Sequence, residues 1–189
     1  MLPDVLREVR TEAPGLTVDL IDGYTEAGRH LTTGRADLAL SPAEIDESGV
    51  YGKLLFEDRY VCLMASENPL ARGALTTERF AAAPHVKIDY GQRWRPPFHG
   101  LLEDLGHRIN FAVSTPNPED VRFILPGTDL IVAMPSRIAH QFRDQLHVRD
   151  CPIPASAQLS VYWPARLNRS PLHLWIRDKI VRVAQEVID

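Results

Sequence analysis

Residues 127–135 read Gly127-Thr128-Asp129-Leu130-Ile131-Val132-Ala133-Met134-Pro135, and this stretch decides the fold class. The run 130–134 is apolar without a break, which is typical of a β-strand covered on both faces. Pro135-Ser136 then predicts a helix that continues to residue 141. A buried strand followed directly by a helix indicates an α/β fold with parallel strands.

The same alternation extends upstream. Asn117-Pro118 predicts a helix start, with Asn as the N-cap and Pro in the first helical position. The sequence before it predicts two further strands, at 86–89 and 110–113, and two helices, a short capped one that starts at Thr76 and runs to residue 80, and another at 97–105. Residues 76–141 are therefore expected to form one α/β unit.

The N-terminal part predicts a second set of elements. Apolar residues at helical spacing predict a helix at 3–13, ended by Pro14-Gly15. Residues 17–21 alternate between apolar and polar and predict a strand, as does 37–40 after a helix at 26–33. A strand, a helix and a strand in this order imply parallel pairing of 17–21 with 37–40.

The remaining elements are extended runs and a terminal helix. Extended runs are predicted at 53–57, 59–65 and 158–163. Ser170-Pro171 starts a long helix that carries an apolar stripe, formed by Leu172, Ile176, Ile180, Val183 and Val187.

Composition excludes several classes of protein. The chain has 189 residues and a formal net charge of -4 at pH 7, so it lacks the clustered basic charge that binds nucleic acid directly. Cys62 lies in an apolar run and Cys151 precedes a proline, so the two isolated cysteines are read as a buried thiol and a loop thiol of a reducing compartment, without a disulfide framework. We find no signal peptide and no membrane-spanning run, so a cytoplasmic location without membrane association is expected.

Signals for catalysis are weak. The sequence contains no GxSxG, GxGxxG or Walker motif, and its seven histidines are scattered without metal-ligand spacing. We therefore predict a protein that is not an enzyme and has no catalytic residue, metal or cofactor.

Signals for small-molecule binding are better. In parallel α/β sheets, ligands bind beyond the carboxyl ends of the strands, where helices begin. Polar side chains stand beside apolar ones at these ends, which suits a ligand with an apolar body and a polar or anionic end. The candidate effector-binding residues are Ser41, Pro42, Met64, Asp89, Tyr90, Ser114, Thr115, Asn117, Met134 and Pro135.

Structural roles are open for the same residues. Ser114 and Thr115 also suit the end of a strand, Asn117 suits a helix cap, and Met64 and Met134 suit core gap-fillers. An aromatic and basic cluster either closes over a ligand or packs on itself as a surface loop; it comprises Tyr90, Arg93, Trp94, Arg95 and Phe98.

Spaced fragments of the chain carry a family resemblance. They are Leu2-Pro3, Leu31-x-x-Gly34-x-x-Asp37-Leu38-Ala39-Leu40, 58–64, Asn68-Pro69-Leu70-Ala71, 127–135 and 170–177. In this order they resemble the C-terminal effector-binding domain of LysR-type bacterial transcriptional regulators, over nearly the whole chain. The resemblance implies an α/β, two-lobed fold like that of type II periplasmic binding proteins.

This resemblance also implies a division into lobes. Residues 1–62 and 162–189 would form lobe I, and 63–161 would form lobe II. Two strands would cross between the lobes, near Leu63-Met64 and Ser160-Val161-Tyr162, with the effector in the cleft between the lobes.

Compared with the family, the chain lacks the helix-turn-helix domain and the first strand of lobe I. Two interpretations stay open. Met1 lies inside a longer regulator, or the chain is this short and the gap closes by lobe rearrangement or strand exchange. In either case, DNA would be contacted only through the missing N-terminal domain.

The implied function is sensing of a small effector, combined with homodimerisation through the helix 3–13 and the region 118–125. Residues 113–116 and 127–131 resemble a branch of the family that responds to flavonoids and substituted aromatics, which favours an aromatic or anionic ligand. The alternatives are a transporter's solute receptor with the same fold, and a truncated regulator that blocks full-length relatives.

Overall fold

The computed structural model describes residues 1–21, 26–89 and 95–186. In these ranges the helices are α1 (Leu2–Glu12), α2 (Ala27–Thr33), α3 (Thr77–Ala82), α4 (Pro97–Asp104), α5 (Val121–Ile124), α6 (Ser136–Ala139) and α7 (Pro171–Glu186). The strands are β1 (Ala39–Ser41), β2 (Val50–Met64), β3 (Pro84–Ile88), β4 (Asn110–Thr115), β5 (Ile131–Pro135), β6 (His147–Asp150) and β7 (Ser156–Pro164). Short 3₁₀-helices occupy Pro69–Ala71, Pro118–Asp120, His140–Phe142 and Ala165–Leu167.

The chain divides into two units. Unit 1 comprises Met1–Glu57 and Gln158–Asp189, and unit 2 comprises Asp58–Ala157. The expected lobe boundaries assigned 58–62 and 158–161 to the other lobe. Both segments lie inside strands, β2 and β7, that continue through the boundary, so no turn or change of composition marks the boundary in the sequence.

Unit 1 packs two helices on a short sheet. Its strand order is β1-β7-β2, and β1 pairs antiparallel with β7, with Leu40 opposite Val161. The apolar face predicted for α1 is confirmed, because Val5 and Val9 are buried against Ile180 and Val183 of α7. Three ion pairs join α1 and α7: Lys179 pairs with Glu8 and, at 2.6 Å between nitrogen and oxygen, with Glu12, and Arg182 pairs with Glu8.

The strand predicted at 17–21 is wrong. The segment has no strand assignment, and Val18, Leu20 and Ile21 are exposed. The expected parallel pairing with 37–40 is therefore also wrong for the described residues, since β1 is the terminal strand of its sheet and pairs antiparallel with β7. An alternating pattern suits a strand, but a strand forms only where a neighbour completes its hydrogen bonds.

Unit 2 contains a sheet of strand order β6-β2-β5-β3-β4. β2 pairs antiparallel with both β5 and β6, whereas β3 pairs parallel with β4 and β5. Alternate residues of the central strands enter two separate core clusters. One contains Val61, Leu63, Val132 and Met134, and the other contains Tyr60, Cys62, Met64 and Ile131. The prediction that 130–134 is covered on both faces is confirmed.

The helix caps of unit 2 follow the sequence prediction. The Thr76 hydroxyl accepts a hydrogen bond from the Arg79 N–H, and the Asn117 side chain accepts one from the Glu119 N–H. The segment after Asn117 begins as the 3₁₀-helix Pro118–Asp120 and continues as α5. β6 was not predicted, because His147–Asp150 carries no apolar alternation.

Candidate functional site

Unit 2 brings several of the predicted binding residues to one edge of its sheet. β5, β3 and β4 run parallel, so their carboxyl ends lie along the same edge. Asp89, Thr115 and Pro135 stand at these three ends, and the Asp89 N–H donates to the Thr115 carbonyl at 2.9 Å. We call this row, with Ser114 and Asn117, the carboxyl edge.

The polar side chains of Thr115 and Asn117 form hydrogen bonds within the segment that follows β4. Thr115 is buried; its hydroxyl donates to the Asp120 carboxylate and accepts from the Asn117 N–H at 3.2 Å. Asn117 accepts from the Glu119 N–H at 3.1 Å. These bonds cap the helical segment that follows, so the capping role left open by the sequence is the one observed.

Ser114 and Asp89 are more accessible members of the carboxyl edge. Ser114 is exposed on β4, opposite Lys87 of β3. Asp89 is half-buried and forms an ion pair with Lys87, at 3.2 Å between Oδ2 and Nζ. This part of the edge therefore exposes the Ser114 hydroxyl beside the Lys87–Asp89 ion pair, whose charges cancel.

Asp58, which the sequence did not indicate as a site residue, caps the start of α6. Asp58 of β2 accepts hydrogen bonds from the Ser136 hydroxyl at 2.6 Å and from the Arg137 N–H at 2.9 Å. The helix start after β5 was expected to offer free N–H groups to an anion, but the Asp58 carboxylate already occupies the Arg137 N–H. The antiparallel register, with Tyr60 opposite Pro135, places Asp58 there, and no short motif encodes that register.

The two methionines do not share one pocket wall. Met64 and Met134 are only 0% and 1% exposed, and they belong to the two different core clusters of unit 2. Side chains alternate along antiparallel partners, and Met134 pairs with Val61, so its face is the one opposite to Met64. The core interpretation of both residues is the one that fits this structure.

The remaining candidates lie elsewhere. Ser41 ends β1 in unit 1, where its buried hydroxyl accepts from the Ala43 N–H at 3.1 Å and forms the turn that contains Pro42. Tyr90, like Arg93 and Trp94, is outside the described residues. Arg95 pairs with Glu103 at 2.6 Å, and Phe98 is buried in the core rather than exposed in a loop.

Unit 2 also contains a cavity of about 650 Å³ that the sequence did not predict. It lies between α4, the turn after it, and β4. Its lining is Arg95, His99, Leu102, Glu103, Gly106, His107, Arg108, Ile109 and Phe111. Of the candidate effector-binding residues that the structure describes, none lines it, but Arg95 of the aromatic and basic cluster does, and the Arg95–Glu103 pair partly neutralises the cavity's charged rim.

Two buried histidines lie in and beside this cavity. Burial lowers the pKa of His85 to about 4, against an opposing hydrogen bond to the Phe80 carbonyl. Burial, followed by the nearby Arg95 charge, lowers the pKa of His99 to about 4 as well. Both rings stack near Phe111 and are neutral at pH 7.

Two further properties bear on function. Within residues 1–21, 26–89 and 95–186, no three His, Cys, Asp or Glu side chains are grouped as a metal ion would require. In the same ranges no helix is both long enough and apolar enough to span a bilayer.

Comparison with known families identifies the class of domain. The model of the LysR substrate binding domain matches residues 1–185. The chain belongs to this family. The family resemblance noted in the sequence is thereby confirmed.

Regulators of the LysR family are also the chain's relatives in sequence. Nodulation protein D of Rhizobium leguminosarum bv. trifolii is 27% identical over 97% of the chain and 59% of its own length. The HTH-type transcriptional activator NagR of a Ralstonia species is 26% identical over 98% of the chain and 63% of its own length. The chain thus spans about three fifths of these relatives.

Solved structures give the fold. The regulatory domain of MexT, a transcriptional activator of Pseudomonas aeruginosa, matches with a TM-score of 0.85 at 24% identity, over 96% of the chain and 92% of that domain. Structures of LysR regulatory domains have the type II periplasmic-binding-protein-like fold, and the LysR domain described here shares it. The predicted fold class is confirmed.

The two buried histidines predict a pH-dependent stability. An unfolded histidine binds its proton near pH 6.5, whereas native His85 resists protonation until about pH 4. The unfolded state therefore holds more protons between these values, and the free energy of unfolding should fall as the pH falls from 6.5 to 4. Each such histidine contributes about 1.4 kcal/mol per pH unit in this window.

Urea unfolding at a series of pH values tests this expectation with His85→Gln, which should have a shallower slope than the wild type between pH 6.5 and 4. The matched control is His140→Gln, because His140 is exposed, and it should follow the wild-type curve. Equal slopes for wild type and His85→Gln would contradict the assignment.

Proposed function

We propose that the chain is the effector-sensing domain of a LysR-type transcriptional regulator, without catalytic activity, and that it works in the cytoplasm. The family match over 1–185 supports the class of domain. The observation that supports ligand binding is the carboxyl edge of unit 2, where three parallel strands end together beside helix starts. DNA contacts would belong to a separate domain of a complete regulator.

The ligand we propose is a small aromatic or anionic molecule. Thr115, Asn117 and Asp58 use their hydrogen bonds in helix caps, so direct polar contacts would fall to exposed Ser114 and to the Lys87–Asp89 ion pair. A small number of polar contacts favours a largely apolar ligand with one polar end.

We also propose that the domain acts as a homodimer through α1 and the region 118–125. Phe123 supports this proposal, because its side chain is 79% exposed on α5, within that region. Val18 and Leu20 add exposed apolar surface just after α1. The proposed dimer would remove this exposed apolar area from water, which is favourable.

Ligand binding should raise the melting temperature. A panel of aromatic acids, phenols and flavonoids, tested by thermal shift, should contain compounds that stabilise the domain by about 2.7 kcal/mol at a hundredfold excess over Kd. For a domain of this size the increase in Tm is about 5–10 °C.

Ser114→Trp should abolish that increase without lowering the Tm of the free protein, because Ser114 is exposed and the new side chain fills the carboxyl edge. The matched control Ser48→Trp, in an exposed turn of unit 1, should keep the full ligand response. A panel without any stabilising compound, or equal responses from both variants, would argue against the proposed site.

A charged residue at Phe123 should dissociate the dimer. Phe123→Glu places a carboxylate on the proposed contact surface and is expected to shift the mass measured by light scattering from dimer to monomer. Leu105→Glu is the control, since Leu105 is 61% exposed but lies outside α1 and 118–125, and its mass should stay that of a dimer. A monomeric wild type, or a Phe123→Glu dimer as tight as the wild type, would refute this arrangement.

A further inference from the structure

The chain has two cysteines, and the structure brings them together in unit 2. Cys62 is in β2, opposite Arg149 of β6, and Cys151 directly follows β6 with its N–H bonded to the Tyr60 carbonyl at 3.4 Å. Every second residue of a strand faces the same side, so the two thiols lie on one face of the sheet. The expected buried thiol at Cys62 and loop thiol at Cys151 are both free, and the fold places them side by side.

Both thiols are free and contact the same core cluster. Cys62 is fully buried within it, and Cys151 packs against its margin and is partly accessible. The register of β2 and β6 makes the two thiols neighbours on this face. Two neighbouring thiols, one buried and one partly accessible, form a pair that oxidation can join.

The two thiols differ in their ease of ionisation. The neighbouring Cys151 thiol, followed by burial, raises the pKa of Cys62 well above its ordinary value. The neighbouring Cys62 thiol, aided by the Ile153 backbone, lowers the pKa of Cys151 against the opposing effect of burial. The thiolate is the reactive form of cysteine, so the accessible thiol of the pair is also the more nucleophilic one.

We propose that Cys62 and Cys151 form an oxidant-responsive dithiol, with Cys151 as the thiol attacked by peroxide and Cys62 as the resolving thiol. This site is independent of the effector site proposed above. It is a modification site within unit 2, and its chemical partner is hydrogen peroxide or another small hydroperoxide.

The chemistry proceeds in two balanced steps. The Cys151 thiolate sulfur attacks one peroxide oxygen, the O–O bond breaks, and a sulfenic acid forms with release of hydroxide. The Cys62 sulfur then attacks the Cys151 sulfur, the S–O bond breaks, and water leaves with the Cys62 proton. The two sulfurs together lose two electrons, which reduce the peroxide, and a dithiol reductant reverses the change.

The backbone around Cys151 allows the bond to form. Cys151 follows the last paired residue of β6, Asp150, and the Cys151 N–H makes a long 3.4 Å bond to the Tyr60 carbonyl, so its backbone can shift without breaking the pairing of β6 itself. The resulting disulfide would tie β2 covalently to the chain after β6. Oxidation would thus fix the position of the segment that leads into β7.

Peptide mapping tests the proposal on the intact chain. Reduced protein is treated with hydrogen peroxide, unreacted thiols are alkylated, and trypsin releases peptides 60–72 and 150–166, which each carry one cysteine. The expected product is a 60–72/150–166 cross-linked peptide, with loss of both alkylated forms, and dithiothreitol should restore them. Peroxide oxidation to sulfinic acid, or disulfides between molecules, without this cross-link would overturn the proposal.

Two variants assign the roles. In Cys62→Ala, Cys151 should accumulate as a sulfenic acid that dimedone traps, because the resolving thiol is gone. In Cys151→Ala, Cys62 should remain reduced at the same peroxide concentration, since it is buried. Dimedone labelling of Cys62 but not of Cys151 would contradict the assigned roles of attacked and resolving thiol. If a variant folds poorly, the peptide map of the wild-type protein still shows whether the Cys62–Cys151 disulfide forms.

Discussion

The hydrogen bonding of β2 on both sides is the constraint on which unit 2 depends. Residues 60–64 pair with β5 on one side, and 61–64 pair with β6 on the other. Because the strand is paired on both edges, its side chains can be buried on both faces, and Tyr60 through Met64 are all buried. The register of this one strand therefore determines which residues meet in each core cluster.

Three functional features follow from that register. Asp58, just before the paired segment, reaches the start of α6 and satisfies its Arg137 N–H. Cys62 meets Cys151 after β6. Met64 and Met134 are directed to opposite faces, so neither is available at the carboxyl edge. A slip of one residue would exchange the two faces and remove all three arrangements.

The carboxyl edge differs in character from what its composition suggests. The row of hydroxyl, amide and carboxyl groups is rich in polar atoms, but most are engaged in caps that hold α5 and α6 against the sheet. Because these hydrogen bonds are already formed within the protein, they hold the edge rigid and leave few donors for a ligand. This balance favours recognition by shape and apolar contact, with a small number of polar interactions.

The sequence predicted those structural features that are encoded by residues close together in the chain. The apolar run at 130–134, the caps at Thr76 and Asn117 and the apolar stripe of α1 are each written within a few residues, and the family resemblance gave the fold. Pairings between distant segments were not recoverable, such as Asp58 with Ser136 and Cys62 with Cys151, and neither was the lack of a strand partner for 17–21 within the described part of the chain. These depend on strand register and on which strands are neighbours, and a single sequence contains no local signal for either.

Hydrogen–deuterium exchange with and without a stabilising aromatic acid tests the central claim most directly, namely that the carboxyl edge is the effector-binding part of unit 2. Ligand is predicted to slow exchange in peptides that cover 114–119 and 135–138, while peptides over 99–111, around the cavity of α4 and β4, exchange as before. Protection confined to 99–111, with none at the carboxyl edge, would contradict the account and assign the ligand to the cavity instead.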